Sequence, residues 1–260
     1  PAPVDEVVAR IGREKPAAVF APHVETASGM ILPDEYIAKV AEAVHAEGGL
    51  FVLDCIASGC AWVDMKALGV DVLISAPQKG WSASPSAGMV MLSERAIAEV
   101  KARQSSSFAV DLGKWLSIME AYESGGHAYH ATMPTDALRA FRDTMVETKA
   151  YGFDRLRDAQ WEQGNRVRAL LAEKGFRSVA AEGFGAPGVV VSYTGDAEIQ
   201  SGRAFLKEGL QIAAGVPLQV GEGDDYQSFR IGLFGLDKLM DVDASVARLE
   251  SALEQVTGSP

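Results

Sequence analysis

The sequence contains little cysteine and no long hydrophobic run. Its two cysteines, Cys55 and Cys60, match neither a Cys-x-x-Cys motif nor a disulfide framework, and thiols in apolar surroundings are typical of a reducing compartment. No stretch reaches the roughly 18 consecutive apolar residues of a transmembrane helix. The first residues lack the basic and apolar segments of a signal peptide. These absences predict a cytoplasmic protein that does not act at a membrane.

Basic residues are scarce relative to acidic ones. The 24 lysines and arginines stand against 35 aspartates and glutamates, which gives a formal net charge of −11. Because no basic cluster suggests contact with a phosphate backbone, we expect no nucleic-acid partner. We also expect no metal site. The 260 residues are 48% hydrophobic and 23% charged, as in a soluble globular protein of one large or two modest domains.

The first half of the chain alternates apolar runs with helical patterns. The apolar runs predict buried strands over residues 17–21, 50–54, 72–76 and 87–93. Helical spacing occurs over residues 33–49, 63–71 and 94–104. Strands that are apolar throughout and separated by helices predict an α/β fold with a mostly parallel sheet covered on both faces.

The second half has a different order of elements. Residues 137–175 are charged and helical, with a break expected near Gly152. Strand-like runs follow at 188–194, 209–215 and 229–235. An amphipathic helix over residues 239–256 closes the chain. We therefore expect two domains, a large one over residues 1–151 and a smaller α+β domain over residues 152–260.

Three side chains with complementary chemistry follow three of the predicted strands. Thr26 comes after the first strand, Asp54 ends the second, and Lys79 lies just past the third. Because functional groups in open α/β sheets collect at the carboxyl ends of the strands, these groups are expected to converge. A lysine amine can form an imine with a cofactor aldehyde, and an aspartate can keep a pyridine nitrogen protonated. The set therefore favours a site for a pyridine-aldehyde cofactor.

Each of these residues also has an ordinary structural explanation. A lysine after a strand is usually a solvated loop residue, and an aspartate at a strand end often caps a helix. Only the ordered combination favours a functional role.

The segment "GFGAPG" (183–188) fits G-x-G-x-x-G, but it precedes a strand instead of joining a strand to a helix. We therefore interpret it as a turn.

Six segments, in order along the chain, resemble one enzyme family. They are "HVETASG", "FVLDCIASG", "SAPQKGW", "SFAVDLGKW", "YHATMP" and "FRIGLFG". The sequence resembles the class V family of pyridoxal-phosphate enzymes, and within it the alanine–glyoxylate and serine–pyruvate aminotransferase branch. The resemblance implies the fold type I architecture, the cofactor pyridoxal 5'-phosphate, and a homodimer with shared active sites.

The resemblance also implies cofactor contacts for individual residues. Lys79 would form the Schiff base with the cofactor, and Asp54 would be the partner of the pyridine nitrogen. Thr26 would contact the phenolic oxygen of the ring. Ile56 would pack against one ring face, and Gln78 would bind the phosphate.

Three further residues are assigned by the same resemblance. Tyr129 and Thr132 of "YHATMP" would reach the cofactor phosphate of the neighbouring subunit. Arg230 would hold the α-carboxylate of the substrate, for which a planar guanidinium suits better than an ammonium. Ordinary loop positions for Tyr129 and Thr132, and a structural ion pair for Arg230, are the alternatives.

Other residues near these motifs are expected to be structural. His23 is interpreted as a packed or hydrogen-bonding residue, and Cys55 and Cys60 as packing residues instead of persulfide-forming thiols. For Trp81, pocket lining and core packing are both open.

Only 22 residues precede His23, fewer than in the family. The chain is therefore expected to begin partway through a longer protein.

The resulting functional prediction is an aminotransferase. It would move an amino group from a small α-amino acid, such as alanine or serine, to a 2-oxo acid such as glyoxylate or pyruvate. In the related cysteine desulfurases a histidine precedes the lysine; Gln78 stands there in this chain, which favours transamination. A lyase or desulfurase of the same family, and a cofactor-free dimeric binding protein on the same scaffold, are the alternatives.

Overall fold

The computed structural model describes residues 1–258, which form eleven helices and nine strands. The helices are α1 (Val4–Glu14), α2 (Asp34–Ala46), α3 (Met65–Leu68), α4 (Glu94–Ala102), α5 (Leu112–Glu123), α6 (Thr135–Tyr151), α7 (Phe153–Glu173), α8 (Ala197–Gln200), α9 (Arg203–Lys207), α10 (Leu236–Met240) and α11 (Val242–Thr257). The strands are β1 (Ala18–Pro22), β2 (Val24–Glu25), β3 (Met30–Ile31), β4 (Leu50–Asp54), β5 (Val72–Ser75), β6 (Met89–Leu92), β7 (Val189–Tyr193), β8 (Ala213–Ala214) and β9 (Ser228–Gly232).

The larger sheet has the strand order β1-β4-β5-β6. β1 and β5 both run parallel to β4, whereas β6 runs antiparallel to β5. The strands predicted in the first half of the chain and the mostly parallel sheet are thereby confirmed. β6 can run antiparallel because residues 76–88 form a loop without the helix that a parallel crossover usually contains.

One face of this sheet carries the core of the first half of the chain. Phe51 of β4 and Leu73 of β5 are buried together with Ile11 of α1 and Ile37 of α2. Side chains alternate along a strand, so every second residue points to the opposite face. On that face Phe20 is 73% exposed. Phe20 is therefore open to solvent on that face, whereas its cross-strand neighbour Val52 is 6% exposed.

A buried carboxylate fastens the amino ends of these strands. Asp71, which is 2% exposed, accepts hydrogen bonds from the N–H of Phe51 at 2.8 Å and from the hydroxyl of Ser93 at 3.1 Å. Its Oδ2 also lies 2.7 Å from Nε2 of His45. Ser93 in turn caps α4 by accepting from the N–H of Ala96. One carboxylate thus joins α2, β4 and the start of α4.

Two long helices lead from the first sheet to the second. α6 and α7 are separated by Gly152, whose φ of 109° is one that glycine adopts readily, so the predicted break is confirmed. The domain boundary proposed at this position stays a prediction. None of the helices within residues 1–258 combines the length and the hydrophobicity needed to cross a membrane.

The smaller sheet has the antiparallel order β7-β9-β8. Phe229 and Ile231 of β9 are buried in one cluster with Leu171 of α7 and Leu253 of α11. Because side chains alternate along β9, Ser228 and Arg230 point away from this cluster. The second sheet therefore has one face against helices and one face turned toward the first half of the chain.

The structure differs from the sequence interpretation in several elements. The strand expected over residues 209–215 is only two residues long, because Gly209 ends α9 in the left-handed conformation, with φ of 72°. The closing helix expected over residues 239–256 is divided into α10 and α11, since Asp241 caps α11 by accepting from the N–H of Ala244. α1 and α5 lie where the sequence interpretation gave no helix.

Replacing Asp71 with alanine should lower the free energy of unfolding by about 3 kcal/mol, because two buried donors lose their acceptor. Urea-induced unfolding followed by circular dichroism measures the change. Glu42→Ala removes an exposed carboxylate from α2 and should change stability by less than about 0.5 kcal/mol. Equal stability of the two variants would contradict a role for Asp71 in joining these elements.

Candidate active site

The carboxyl ends of β1, β4 and β5 meet at one edge, as the sequence predicts. Pro22, Asp54 and Ile74 are in register across the three strands. The exposed carboxylate of Asp54 accepts one hydrogen bond through Oδ1, from the N–H of Ile56 at 2.9 Å. Among the residues that the structure describes, Oδ2 of Asp54 has no partner. This carboxylate is therefore held at the edge with one oxygen available.

Thr26 lies at the tip of the hairpin formed by β2 and β3. The two carboxylate oxygens of Glu25 accept hydrogen bonds from the N–H groups of Ala27 at 2.8 Å and Ser28 at 2.7 Å. Gly29 closes the turn with a φ of 70°, a conformation that favours glycine. Thr26, which is half-buried, is thereby fixed by the backbone on either side of it.

This hairpin is attached to the second sheet. Its backbone exchanges two hydrogen bonds with residues 184–186, Ile31 N–H to the Phe184 carbonyl and Ala186 N–H to the Gly29 carbonyl, both at 2.8 Å. A Cβ at Gly29 would lie 2.9 Å from the Val191 side chain, so only glycine fits here without a shift. Val191 is the cross-strand neighbour of Arg230. The Thr26 hairpin therefore packs on the strand next to the one that carries Arg230.

A largely buried guanidinium strengthens the same junction. Nη2 of Arg168, in α7, donates to the carbonyl of Ala186 at 2.7 Å and approaches the carbonyls of Gly29 and Val189 at 3.4 Å. Burial lowers the pKa of Arg168 to about 10, so the side chain remains protonated at neutral pH. Since carbonyl oxygens satisfy a cation only in part, Arg168 holds the hairpin and β7 together at a desolvation cost.

Lys79 lies in the loop between β5 and β6. Its Nζ is 5.4 Å from the centre of the Phe234 ring, a cation–π contact. The loop is packed closely, because a Cβ at Gly80 would collide with the backbone of Gly59. The hydroxyl of Ser82 accepts a hydrogen bond from the N–H of Leu236 at 2.8 Å. Lys79 is thus held against the segment that contains Arg230.

Arg230 is oriented by its own backbone surroundings. Its Nε donates to the carbonyl of Ala214 at 2.8 Å, and its side chain points away from the buried cluster of Phe229. Within residues 1–258, neither terminal nitrogen of Arg230 has a partner. The two nitrogens form a fork that suits a carboxylate.

The other predicted residues lie in different surroundings. Gln78 is exposed beside Lys79, and Ile56 is half-buried next to Asp54. Tyr129, which is 74% exposed, and Thr132 lie in the loop between α5 and α6, where their hydroxyls are 3.1 Å apart. The roles of these four residues in binding a cofactor stay predictions.

His23 and the two cysteines are structural, as expected. His23 is 3% exposed, and its Nδ1 lies 2.7 Å from Oγ of Ser58. Burial lowers the pKa of His23 to about 4, so the ring is neutral near pH 7. Cys55 and Cys60 are buried, and burial raises the pKa of both thiols to about 12. Neither thiol is therefore available as a thiolate at neutral pH.

An aromatic cluster lies beneath the Lys79 loop. Trp81 packs against Trp62, with ring centres 5.4 Å apart, and also against Phe141 and Phe153. These contacts settle Trp81 as a packing residue that also lines a cavity of about 230 Å³. The sequence interpretation missed Trp62 and Phe153, because residues far apart along the chain give no local signal of contact.

Known proteins similar to this chain support one family. Residues 3–208 match the family described as Aminotransferase class-V. The chain is 26% identical over 240 residues to the soluble hydrogenase 42 kDa subunit of Anabaena cylindrica, an alignment that covers 91% of this chain and 59% of that protein. It is 29% identical over 215 residues to the 2-aminoethylphosphonate–pyruvate transaminase of Syntrophobacter fumaroxidans, with 82% and 56% covered. The solved alanine–glyoxylate aminotransferase from Nostoc sp. superposes with a TM-score of 0.83 at 23% identity, over 98% of this chain and 65% of that one.

The chain therefore belongs to the class-V aminotransferase family and has the fold of the type I pyridoxal-phosphate transferases. The family and the fold class predicted from the sequence are thereby confirmed. The chain spans less than two thirds of the length of each of these three relatives.

Pyridoxal 5'-phosphate is the cofactor of this family, and the residues present suit its chemistry. Asp54 offers a free carboxylate oxygen for a pyridine N–H. The ammonium of Lys79 forms no salt bridge with any carboxylate within the described part of the chain, and it lies 5.4 Å from the centre of the Phe234 ring.

The buried His23 predicts a specific dependence of stability on pH. Because the pKa of His23 falls from 6.5 to about 4 on folding, the unfolded chain binds a proton more readily than the folded one. The free energy of unfolding therefore has its full value above about pH 6.5. It falls by roughly 2–3 kcal/mol as the pH drops toward about 4. His23→Gln should remove most of this loss in urea unfolding at about pH 7 and about pH 4.5.

The exposed His127 provides the matched control. His127→Gln should keep the pH dependence of the unaltered protein. If His23→Gln kept it as well, acid destabilisation would have another origin.

Proposed function

We propose that the protein is a pyridoxal-phosphate-dependent aminotransferase that moves an amino group from a small α-amino acid to a 2-oxo acid such as glyoxylate or pyruvate. The observation that supports the proposal is that the Lys79 loop, which follows the strand in register with Asp54, packs against the segment that contains Arg230. The transaminase from Syntrophobacter fumaroxidans and the aminotransferase from Nostoc sp. are named for amino-group transfer to pyruvate and glyoxylate, respectively.

Several residues would hold the cofactor. Lys79 would hold it covalently through its amine, and Asp54 would accept a hydrogen bond from the pyridine N–H. Thr26 would contact the phenolic oxygen. The ring would lie against Ile56, and Gln78 would bind the phosphate together with Tyr129 and Thr132 of a neighbouring copy. When bound, the cofactor supplies an electron sink for negative charge at the substrate α-carbon.

The chain's own residues would bind the substrate and move its proton. Arg230 holds the α-carboxylate with two parallel N–H···O bonds, and the carbonyl of Ala214 keeps the guanidinium in place. Nζ of Lys79 serves as the base that takes the proton from the α-carbon. A carboxylate fixed at Arg230 orients that C–H bond toward the lysine. An α-amino acid is therefore the substrate class that this arrangement suits.

Desulfurase chemistry receives less support from the thiols. A persulfide-forming cysteine must be accessible and partly deprotonated. Cys55 and Cys60 are both buried, and burial raises the pKa of each thiol to about 12. Release of a 2-oxo acid without sulfide, measured with cysteine among the donors, distinguishes a transaminase from a desulfurase.

A homodimer is part of the proposal. Five large apolar side chains between residues 108 and 129 are more than half exposed, and we call them the α5 patch: Phe108, Val110, Met119, Tyr122 and Tyr129. Exposed apolar patches of this kind mark interfaces. A second copy of this chain seated on the patch would bury it and bring Tyr129 and Thr132 to a neighbouring site.

Two free, buried thiols suit a reducing compartment, so we also propose that the protein is cytoplasmic.

Lys79→Ala should abolish amino transfer, with a loss of at least about 10³-fold in kcat, because the covalent attachment and the base are removed together. Borohydride reduction of the loaded full-length protein, followed by peptide mass spectrometry, should place the cofactor on Lys79. The control Lys66→Ala removes an exposed lysine from α3 and should retain labelling and activity. Labelling of a different lysine would refute the assignment.

Placing charges in the α5 patch should dissociate the dimer. We expect the double variant Phe108→Glu, Val110→Glu to sediment with half the molar mass of the unaltered protein, because both residues would be desolvated at the interface. Val220→Glu alters a residue that is 80% exposed outside the patch and should leave the mass unchanged. An unaltered mass in the double variant would show that the copies meet elsewhere.

A further inference from the structure

A cavity of about 320 Å³ lies in the second half of the chain, on the side of the smaller sheet that the helices cover. Its apolar wall includes Val167 of α7, Ile231 of β9 and Leu249 of α11, all of which are buried. Ligand sites are typically concave spaces of about 300 to 1,000 Å³ with mostly apolar walls and a few polar groups. The volume of this cavity therefore suits one small molecule.

The cavity is separate from the candidate active site. Arg230 and Ile231 are consecutive residues of β9, so their side chains point to opposite faces of the sheet. Ile231 lines the cavity, whereas Arg230 points away from the buried cluster that contains Ile231. Neither Asp54 nor Lys79 lines the cavity. A molecule bound in the cavity would therefore leave the candidate active site free.

Three polar side chains of α11 form a row along the cavity. Asp241 caps the helix, and Ser245 and Arg248 follow it four and seven residues later. This spacing places the three side chains on one side of the helix, and all three line the cavity. The wall thus presents a carboxylate, a hydroxyl and a guanidinium in that order.

The guanidinium of Arg248 has unused donors at the edge of the cavity. Its Nη2 donates to the carbonyl of Gly209 at 3.3 Å, which holds the group next to Leu210 of the cavity wall. Within residues 1–258, its other two nitrogens have no partner. A planar guanidinium with free N–H groups suits a carboxylate. This end of the row therefore favours a ligand with a carboxylate.

Ser245 offers a further donor beside a buried amide. Its Oγ accepts a hydrogen bond from Nε2 of Gln163 at 2.7 Å, and its own proton has no acceptor among the described residues. Gln163 is 0% exposed, and its Oε1 has no partner in the same part of the chain. An unpaired buried oxygen calls for an explanation. Since Oε1 belongs to the amide that binds Ser245, a ligand in the cavity that supplies a donor is one.

The other end of the row is acidic. Oδ1 of Asp241 accepts from the N–H of Ala244 at 3.0 Å, and Oδ2 has no partner within the described part of the chain. Asp237 lines the same end of the cavity with a carboxylate that is 81% exposed. Carboxylates with unused oxygens suit an ammonium group. The wall therefore matches both charges of a zwitterion.

We propose that this cavity is a second ligand site, which binds a free α-amino acid with an apolar side chain. Arg248 and Ser245 bind the carboxylate of the ligand, and Asp241 binds its ammonium group. The side chain of the ligand packs against Val167 and Ile231. A zwitterion satisfies both charged ends of the row, whereas a fatty acid or an amine satisfies only one. Because the site lies on the opposite face of β9 from Arg230, this inference goes beyond the proposed function and does not depend on it.

Isothermal titration calorimetry tests the proposal on the full-length protein, loaded with pyridoxal phosphate and reduced with borohydride. Reduction keeps the cofactor from reacting with the added amino acid. L-leucine should bind, and 4-methylpentanoate and 3-methylbutylamine should each bind at least about 10-fold more weakly, because each lacks one of the two charged groups. Equal affinity for L-leucine and either analogue would overturn the proposal, as would the absence of L-leucine binding.

Two variants assign the binding to the cavity. Arg248→Ala should raise the Kd for L-leucine by about 10-fold or more, because the carboxylate loses its charged donors. Its control is Arg13→Ala, which removes an exposed arginine from α1. Ala244→Trp places a ring in the cavity and should prevent binding, whereas Ala169→Trp makes the same change at an exposed position of α7 outside the cavity. Unchanged binding in Arg248→Ala would contradict the proposal, and this variant decides the question if Ala244→Trp fails to fold.

Arg230→Ala separates this inference from the proposed function. The variant should lose amino transfer but keep the binding of L-leucine. Loss of L-leucine binding in Arg230→Ala would place that binding in the candidate active site and overturn this inference alone. If the unaltered protein transferred an amino group from no donor, the proposed function would be wrong, and the calorimetry would still decide whether the cavity binds L-leucine.

Discussion

The contact between the β2–β3 hairpin and the second sheet is the constraint on which the candidate site depends. Gly29 lies against Val191, and Arg168 binds carbonyl oxygens on both sides of the junction. Without this contact, Thr26 and Arg230 would belong to separate parts of the chain. Close packing of this kind tolerates little displacement. The distance between Thr26 and Arg230 is therefore set by packing that neither residue makes itself.

Charged groups fall into two sets according to their partners. Asp71 and Arg168 are buried and satisfied, at least in part, by backbone groups or by neighbouring side chains, and both join elements of the fold. Asp54, Lys79 and Arg230 are less buried and keep at least one polar atom without a protein partner among the described residues. Desolvation explains the division, because a buried charge must be paired, whereas a group that binds a ligand must retain unused capacity.

Much of the first sheet could be predicted from the sequence, whereas features of the edge strands β6 and β8, one in each sheet, could not. Continuous apolar runs such as residues 50–54 carry their own signal, and the break at Gly152 follows from a single residue. The antiparallel direction of β6 and the reduced length of β8 depend on neighbouring segments, so no local pattern encodes them. The contact between Phe234 and Lys79 is likewise not encoded by any local pattern, because it joins residues 155 positions apart.

The sequence by itself determined the family and the positions along the chain at which polar residues follow the strands. It also determined the chemistry offered by Asp54, Lys79 and Arg230. These properties are local or are carried by short motifs, so they can be read along the chain. Only the tertiary structure decided that the Thr26 hairpin packs on the strand next to the one that carries Arg230, and that Phe234 lies against Lys79. Burial and hydrogen-bond pairing are properties of the folded assembly, because they depend on residues that meet only after the two sheets pack together.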